Sequence, residues 1–304
     1  MRSRSRLVPL SVAVIIATGL ALTACASDSP GDGATPAASA DGAVRSTLAR
    51  LETAHHTRLG VDAIDTGTGR QIGYRADERF AFASTNKTFI AAAVLRRTPS
   101  AGLDEVVHFT QADVLAYAPI TSKYVATGMT VRHLIDAMMR FSDNTAANVL
   151  VHRLGGPSVV QQYLRSIGDP VSNVDRLEPE LNEATPGDPR DTTTPAQFAR
   201  NLRTVLFRNG LSPSSAAILR NAMLDNTTGD GAIRHGVDPA WPVADKTGTG
   251  DRGVRNDIGI VYPSGHAPVI IVDMTTPDDP TAAADDPLIA SASRVVVDAL
   301  LADR

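Results

Sequence analysis

A single cysteine, Cys25, stands in the 304 residues, so no disulfide can form within the chain and packing alone must hold the fold. Lysine is nearly as scarce. Of the 29 basic residues only Lys87, Lys123 and Lys246 are lysines. Arginine stays charged whereas lysine can release its proton, so a chain that uses arginine almost everywhere keeps lysine where an amine is needed. The seven histidines include no His-x-His and no His-Glu-x-x-His, which removes the usual zinc-hydrolase spacings; no metal and no cofactor is expected, and His55-His56 reads as a surface pair at a helix end. A basic excess is missing too. The formal charge is −4, and more negative still without the arginines of the first six residues, which argues against nucleic acid or an anionic lipid surface as a partner.

What is present begins with an export signal. Arg2, Arg4 and Arg6 precede an apolar stretch over 7–22 and then Leu22-Thr23-Ala24-Cys25. Charged, apolar and small-residue regions in that order mark a signal peptide over 1–24 that is removed on maturation, not a membrane span. Residues 25–42, rich in Ser, Asp, Gly, Pro and Ala, cannot bury enough surface to fold and are expected to be a flexible linker. Roughly 260 residues remain, enough for one large or two interlocked domains. No sequence feature suggests oligomerisation, so a monomer is expected.

Residues 43–56 have helical spacing in Val44, Leu48 and Leu51, and 59–64 and 70–74 read as a hairpin joined by Asp65-Thr66-Gly67-Thr68-Gly69. From Phe80 to about Leu224 the pattern is mostly helical, with segments at 131–139, 145–154, 157–167, 195–208 and 213–224, many opening on Pro or a polar cap. Strand signals return at 243–247, 257–262 and 268–274, and a last helix covers 288–301. Strands at both ends with helices between them predict an α+β chain. An antiparallel sheet from 43–82 and 226–304, flanked by helices, carries an inserted all-helical domain over 83–225.

The run from Phe80 to Leu95 contains Ser84-Thr85-Asn86-Lys87, has no Gly or Pro and is rich in Ala, so a largely buried helix starting near Ser84 is expected. Ser84 and Lys87 then share a face, and a serine three residues before a buried amine has a nearby proton acceptor. With 20 Ser and three Lys, such a spacing arises by chance about one time in five, so the tetrad alone decides little. Ser142-Asp143-Asn144 sits between two helices, where Asp and Asn could equally be helix caps. Lys246-Thr247-Gly248 lies on a strand, and Gly248 would let a ligand come close to the backbone. The stretch from Arg176 to Asp191 carries Pro179, Pro186, Gly187 and Pro189, so it is neither helix nor strand and reads as a compact Ω-loop.

Taken in order, Ser84-x-x-Lys87, Ser142-Asp143-Asn144 and Lys246-Thr247-Gly248 form a known signature of penicillin-interacting enzymes. The chain resembles the class A serine β-lactamases over nearly all of its mature length. The likeness includes Tyr117-Ala118-Pro119, 142–148, Arg176-Leu177-Glu178-Pro179-Glu180-Leu181-Asn182, 188–193 and 244–249. The Leu22 to Cys25 ending also resembles a bacterial lipobox, which implies an exported protein, lipid-anchored through Cys25 to the outer face of the cytoplasmic membrane.

That resemblance implies a five-stranded two-domain fold and hydrolysis of penicillin- or cephalosporin-type antibiotics, hence antibiotic resistance. Ser84 would be the nucleophile, activated by Lys87 or by Glu178 through a water; the family leaves open which. Ser142 would pass the proton to the lactam nitrogen. Lys246, Thr247, Gly248, Thr249 and Arg255 would hold the substrate and its carboxylate, with Tyr117 at the cleft and Asn144 on the acylamide side chain. Amide groups of Ser84 and Thr249 would form the oxyanion hole. Glu178 and Asn182 would hold the deacylating water, Arg176 and Asp191 would close the loop neck, and the Glu178-Pro179 bond would be cis. Clavulanate-type inhibitors would react. Two other readings stay open, a penicillin-binding DD-peptidase-like protein and a non-catalytic sensor lipoprotein for β-lactams or cell-wall fragments. The chain departs from the family at Asn86, where Phe is usual, and at Leu177, where Trp is usual.

Overall fold

In this computed structural model the described residues are 36–302, and residues from Pro36 on form one compact unit; Cys25 and the signal segment lie outside the described residues. The helices are α1 (Pro36–His55), α2 (Lys87–Arg97), α3 (Val131–Arg140), α4 (Asn144–Leu154), α5 (Pro157–Ser166), α6 (Pro195–Phe207), α7 (Pro213–Leu224), the short α8 (Ile233–Gly236) and α9 (Asp286–Leu301). The strands are β1 (Thr57–Asp65), β2 (Gln71–Tyr74), β3 (Phe80–Ala81), β4 (Val106–Val107), β5 (Met129–Thr130), β6 (Thr192–Thr193), β7 (Val243–Thr249), β8 (Arg255–Val261) and β9 (Val269–Pro277).

Five of these strands make one antiparallel sheet in the order β2-β1-β9-β8-β7, drawn from both ends of the chain. Its middle strands are buried almost throughout because both faces are covered, and alternation sorts their apolar side chains between two cores. Ile258, Ile260, Ile270, Val272 and Met274 join the core beneath the helices, with Phe89 and Phe198. Val61, Val261, Val269 and Ile271 join the opposite core, with Leu48 of α1 and Val296 and Leu300 of α9. Helix α2 is central to the first core. Residues 87–95 are all buried, and Phe89 packs against Phe198 and Phe82 with ring centroids 4.4 and 6.2 Å apart.

The helix starts follow their caps. Thr130, Asp143, Thr194, Ser212 and Asp285 each accept a backbone N–H of the first turn, and α5, α6, α7 and α9 carry Pro in their first positions. Two details differ from the sequence reading. Helix α1 begins at Pro36, so the later part of the linker expected over 25–42 is helical; Ala37, Ala38 and Ala40 are strong helix formers behind a Pro at the first position. The Ser84 segment opens as a 3₁₀ turn over Ala83–Asn86 before α2 begins at Lys87. The two-residue ladders β3–β6 and β4–β5 are too short to leave a periodic signal. The first of them ties the end of the 176–191 loop to the segment that leads into Ser84.

Candidate active site

The 3₁₀ turn places Ser84 at the N-terminal end of the α2 segment, and β7 passes directly beside it. Gly248 makes that approach possible, because a Cβ there would lie 2.9 Å from the Phe82 carbonyl oxygen and 3.1 Å from the Ser84 nitrogen. Lys87 Nζ donates to Ser84 Oγ at 2.8 Å, and Ser84 Oγ in turn reaches Glu178 Oε1 at 3.3 Å. The same ammonium lies 2.9 Å from Glu178 Oε1, 2.8 Å from the Ser142 carbonyl oxygen, 3.2 Å from Ser142 Oγ and 2.6 Å from Asn144 Oδ1. Five oxygens crowd a group with at most three N–H bonds, so Lys87 cannot donate to all of them at once. Burial pushes its pKa below the ordinary lysine range, and the Glu178 carboxylate opposes that shift.

Lys246, fully buried on β7, donates to Ser142 Oγ at 3.1 Å and to the Thr247 carbonyl oxygen at 2.8 Å. Burial, and then the nearby Lys87, push its pKa down to about 7. Ser142 thus stands between the two amines. Its backbone is left-handed at φ 57°, and its neighbour Asp143 caps α4. Asp143 also accepts the N–H groups of Ile120 and Thr121, at 3.0 and 2.9 Å, so it fixes the loop that carries Tyr117.

The 176–191 loop is closed as expected. Arg176 Nε donates to Asp191 Oδ2 at 2.6 Å, and Asp191 Oδ1 accepts the N–H groups of Asp175 and Arg176. The Glu178-Pro179 peptide is cis. Asn148, on α4, clamps Glu178 from both sides, its Nδ2 donating to the Glu178 carbonyl at 2.8 Å and its Oδ1 accepting the Glu178 N–H at 2.9 Å. Glu178 is 3 % exposed, and its carboxylate is turned toward Ser84 rather than solvent, with Asn182 Nδ2 donating to its Oε2.

Ser84, Tyr117, Ser142, Asn144, Asn182, Thr247, Thr249 and Arg255 line one cleft of about 450 Å³, joined by Thr228. Tyr117 is half exposed at its mouth. Arg255 was expected to be a substrate anchor; its Nε is already bonded to Asp286 Oδ1, while its Nη1 donates to Thr249 Oγ1 at 3.0 Å and its Nη2 to the Thr228 carbonyl at 3.1 Å. Asn144 was expected on the substrate side chain, and its Oδ1 is taken by Lys87. Sequence reasoning missed Thr228 and Asp286 as members of the site, and it assigned no role to Asn148 although that residue closes the Ser142 to Asn148 match. Asn86 is buried with neither amide atom bonded to any described residue. Among the described residues no group of three His, Cys, Asp or Glu side chains is arranged to hold a metal ion, and no helix is long and apolar enough to cross a membrane.

Comparison with known proteins supports the same reading. The profile of the β-lactamase enzyme family matches residues 43–300. A β-lactamase of Amycolatopsis lactamdurans is 48 % identical over 271 residues, covering 89 % of each chain, and β-lactamase 3 of Bacillus cereus is 44 % identical over 253 residues, covering 83 % of this chain and 80 % of its own. Among solved structures, a class A β-lactamase from Mycobacterium abscessus superposes with a TM-score of 0.82 at 46 % identity, covering 84 % of this chain and 99 % of its own. A β-lactamase from Desulfarculus baarsii gives 0.84 at 42 % identity, covering 86 % and 98 %.

Proposed function

The chain belongs to the class A β-lactamase family, and from that we propose that it hydrolyses the β-lactam ring of penicillin- and cephalosporin-type antibiotics through an acyl-enzyme on Ser84, so conferring resistance. The observation that carries this reading is the position of the Ser84 hydroxyl between Lys87 Nζ and Glu178 Oε1, on the wall of the cleft.

In acylation Ser84 Oγ attacks the lactam carbonyl and its proton passes to Lys87, or to Glu178 through a water. The oxyanion that forms is met by the N–H groups of Ser84 and Thr249, the first reinforced by the positive end of its helix. The C–N bond then breaks, and the lactam nitrogen takes the Ser142 hydroxyl proton, which the amines of Lys87 and Lys246 replace. A charge-assisted grip by Thr249 and Arg255, with the positive charge of Lys246 behind it, keeps the substrate carboxylate in register. Deacylation uses a water held by Glu178 and Asn182. Glu178 takes one proton from the water as its oxygen attacks the ester, and the ester C–O bond breaks as Ser84 Oγ receives a proton from Lys87 or Glu178, the two groups that reach it.

Replacing Glu178 with Ala tests this. Mass spectrometry of the variant should find a penicillin adduct that stays on Ser84 while steady-state hydrolysis falls by about a thousandfold or more. Hydrolysis at the wild-type rate would refute the assignment, whereas an equally long-lived adduct on the wild-type protein would favour the DD-peptidase-like reading. The same assay should find clavulanate bound to Ser84. We further propose export with lipid attachment at Cys25 and action as a monomer, since one chain supplies every group of the cleft.

A further inference from the structure

A second cavity lies between the 176–191 loop and the ends of β1, β3 and β9, and it shares no lining residue with the cleft. Its volume of about 190 Å³ is room for roughly six water molecules. Phe80, Leu181 and Val254 supply an apolar part of the lining, and the loop from Ala184 to Arg190 supplies another. Three arginines, Arg58, Arg79 and Arg190, face a single carboxylate, Asp188, in that lining. In a chain whose formal charge is −4 this is a local reversal of sign.

The three cations are not equally compensated. Asp188 is taken by Arg190, whose Nη2 and Nε donate to its Oδ2 at 2.6 and 3.0 Å. Arg58 Nη1 donates to Glu78 Oε2 at 3.1 Å, but Glu78 is shared with Arg75, whose Nη1 reaches its Oε1 at 2.9 Å. Arg79 donates only to neutral oxygens, from Nη1 to Thr192 Oγ1 at 3.0 Å and from Nη2 to the Val171 carbonyl at 2.8 Å. A guanidinium has five N–H bonds, so Arg79 keeps three without a partner among the described residues, and no carboxylate pairs with it there. Those same bonds fix Arg79 in place, and the Arg58 guanidinium carbon is held 3.8 Å from the centre of the Phe80 ring. Donors already fixed lose little freedom on binding an anion.

We infer that this cavity binds a phosphate group through Arg58, Arg79 and Arg190. The donors come from three separate segments, which suits a tetrahedral oxyanion with oxygens in several directions better than a planar carboxylate. The apolar lining leaves room for the stem of a small phosphomonoester. Bound there, the anion ties the loop, through Arg190, to the sheet edge that carries Arg58 and Arg79. Glu178 and Asn182 belong to the same loop, so the ligand steadies it without entering the cleft.

Thermal unfolding and hydrogen exchange of the whole protein test this, with inorganic phosphate in one arm, glycerol 3-phosphate in the other and chloride at matched ionic strength as the baseline. At ten times the dissociation constant either phosphate should raise Tm by about 3–6 °C, and it should slow amide exchange in residues 184–190. Arg79→Gln should weaken binding by roughly tenfold or more, the scale of a charge-assisted hydrogen bond, and Arg190→Gln gives the same reading should Arg79→Gln not fold. Arg132→Gln, which removes an arginine paired with Asp104 outside this cavity, should leave the affinity unchanged. Tighter binding of the ester would identify a phosphomonoester as the ligand, and tighter binding of phosphate the free ion. No Tm rise over chloride in either arm, or an equal rise in the Arg79 and Arg190 variants, overturns the assignment. None of these readouts uses turnover, so the outcome is separate from that of the proposed hydrolysis.

Discussion

Replacing Asp143 with Ala removes one carboxylate and strands several donors. The side chain is fully buried and accepts the N–H groups of Ile120, Thr121 and Ala146 together with the Thr121 hydroxyl, all at 2.9–3.0 Å. Loss of the cap on α4 costs about 1 kcal/mol, and each stranded buried donor about 1–3 kcal/mol more. The loop at Ile120 and Thr121 lies near solvent and can recover part of that through water, so a total of about 3–5 kcal/mol is expected. At about 2–4 °C per kcal/mol for a domain of this size, Tm should drop by about 6–20 °C. Urea unfolding measures the first figure and calorimetry the second. Turnover at a temperature where the variant is still folded should fall as well, because Ser142 and Asn144 flank the lost anchor. A loss below about 1 kcal/mol would show that Asp143 does not organise this side of the cleft. Asp143→Asn, which keeps one acceptor oxygen, should recover part of the deficit.

Two further expectations lie outside the catalytic groups. Asp257 and Asp273 stand directly opposite each other on β8 and β9, fully buried, each with one oxygen bonded (to the Ile233 N–H and the Ser293 hydroxyl) and the other without a donor among the described residues. Burial raises both, Asp273 to about 7, so the folded chain keeps a proton there that the unfolded chain releases above about pH 4. Stability at this site should decline by roughly 3–4 kcal/mol as pH rises from about 4 to about 7, and Asp273→Asn should flatten that slope; parallel pH profiles of urea unfolding for the two proteins would count against it. For the anchor, Cys25→Ala should move the protein from the membrane fraction to the soluble one, and unchanged fractionation would sink the lipid attachment.

Much of the site was legible because its chemistry demands particular residue types at short range. A serine three residues before an amine, across a helical start, is brought onto the same face, and a stretch with Pro179, Pro186 and Pro189 has to be irregular. Ser142-Asp143-Asn144 is ambiguous in the sequence between capping and catalysis; in the structure Asp143 caps α4, while Ser142 and Asn144 face Lys87. What could not be read were contacts between distant segments. Asp286 meets Arg255 only because α9 begins beside β8, and Thr228 meets Thr247 only because the turn after α7 folds back along β7. Neither residue has a local pattern that announces it. The early start of α1 was hidden for another reason, since Ser, Asp and Gly around Ala37, Ala38 and Ala40 give the composition of a linker to a segment whose alanines favour helix.

The scarcity of lysine in the sequence has a physical counterpart at the site. Lys87 and Lys246 are buried, 1 % and 0 % exposed, whereas Lys123 is exposed. Both buried amines are pushed toward their neutral forms, which works against the folded state, because an unfolded chain would keep them charged in water. That cost is tolerable only where release of a proton is the purpose. An arginine at either position would hold its charge through every step and could take no proton from Ser84 nor give one to Ser142. In the proposed mechanism Ser142 Oγ, 3.2 Å from one amine and 3.1 Å from the other, would carry a proton taken at Ser84 to the departing lactam nitrogen. The two lysines are thus placed where they destabilise the fold and where no always-charged residue could replace them, as expected if strain at a site is part of its mechanism.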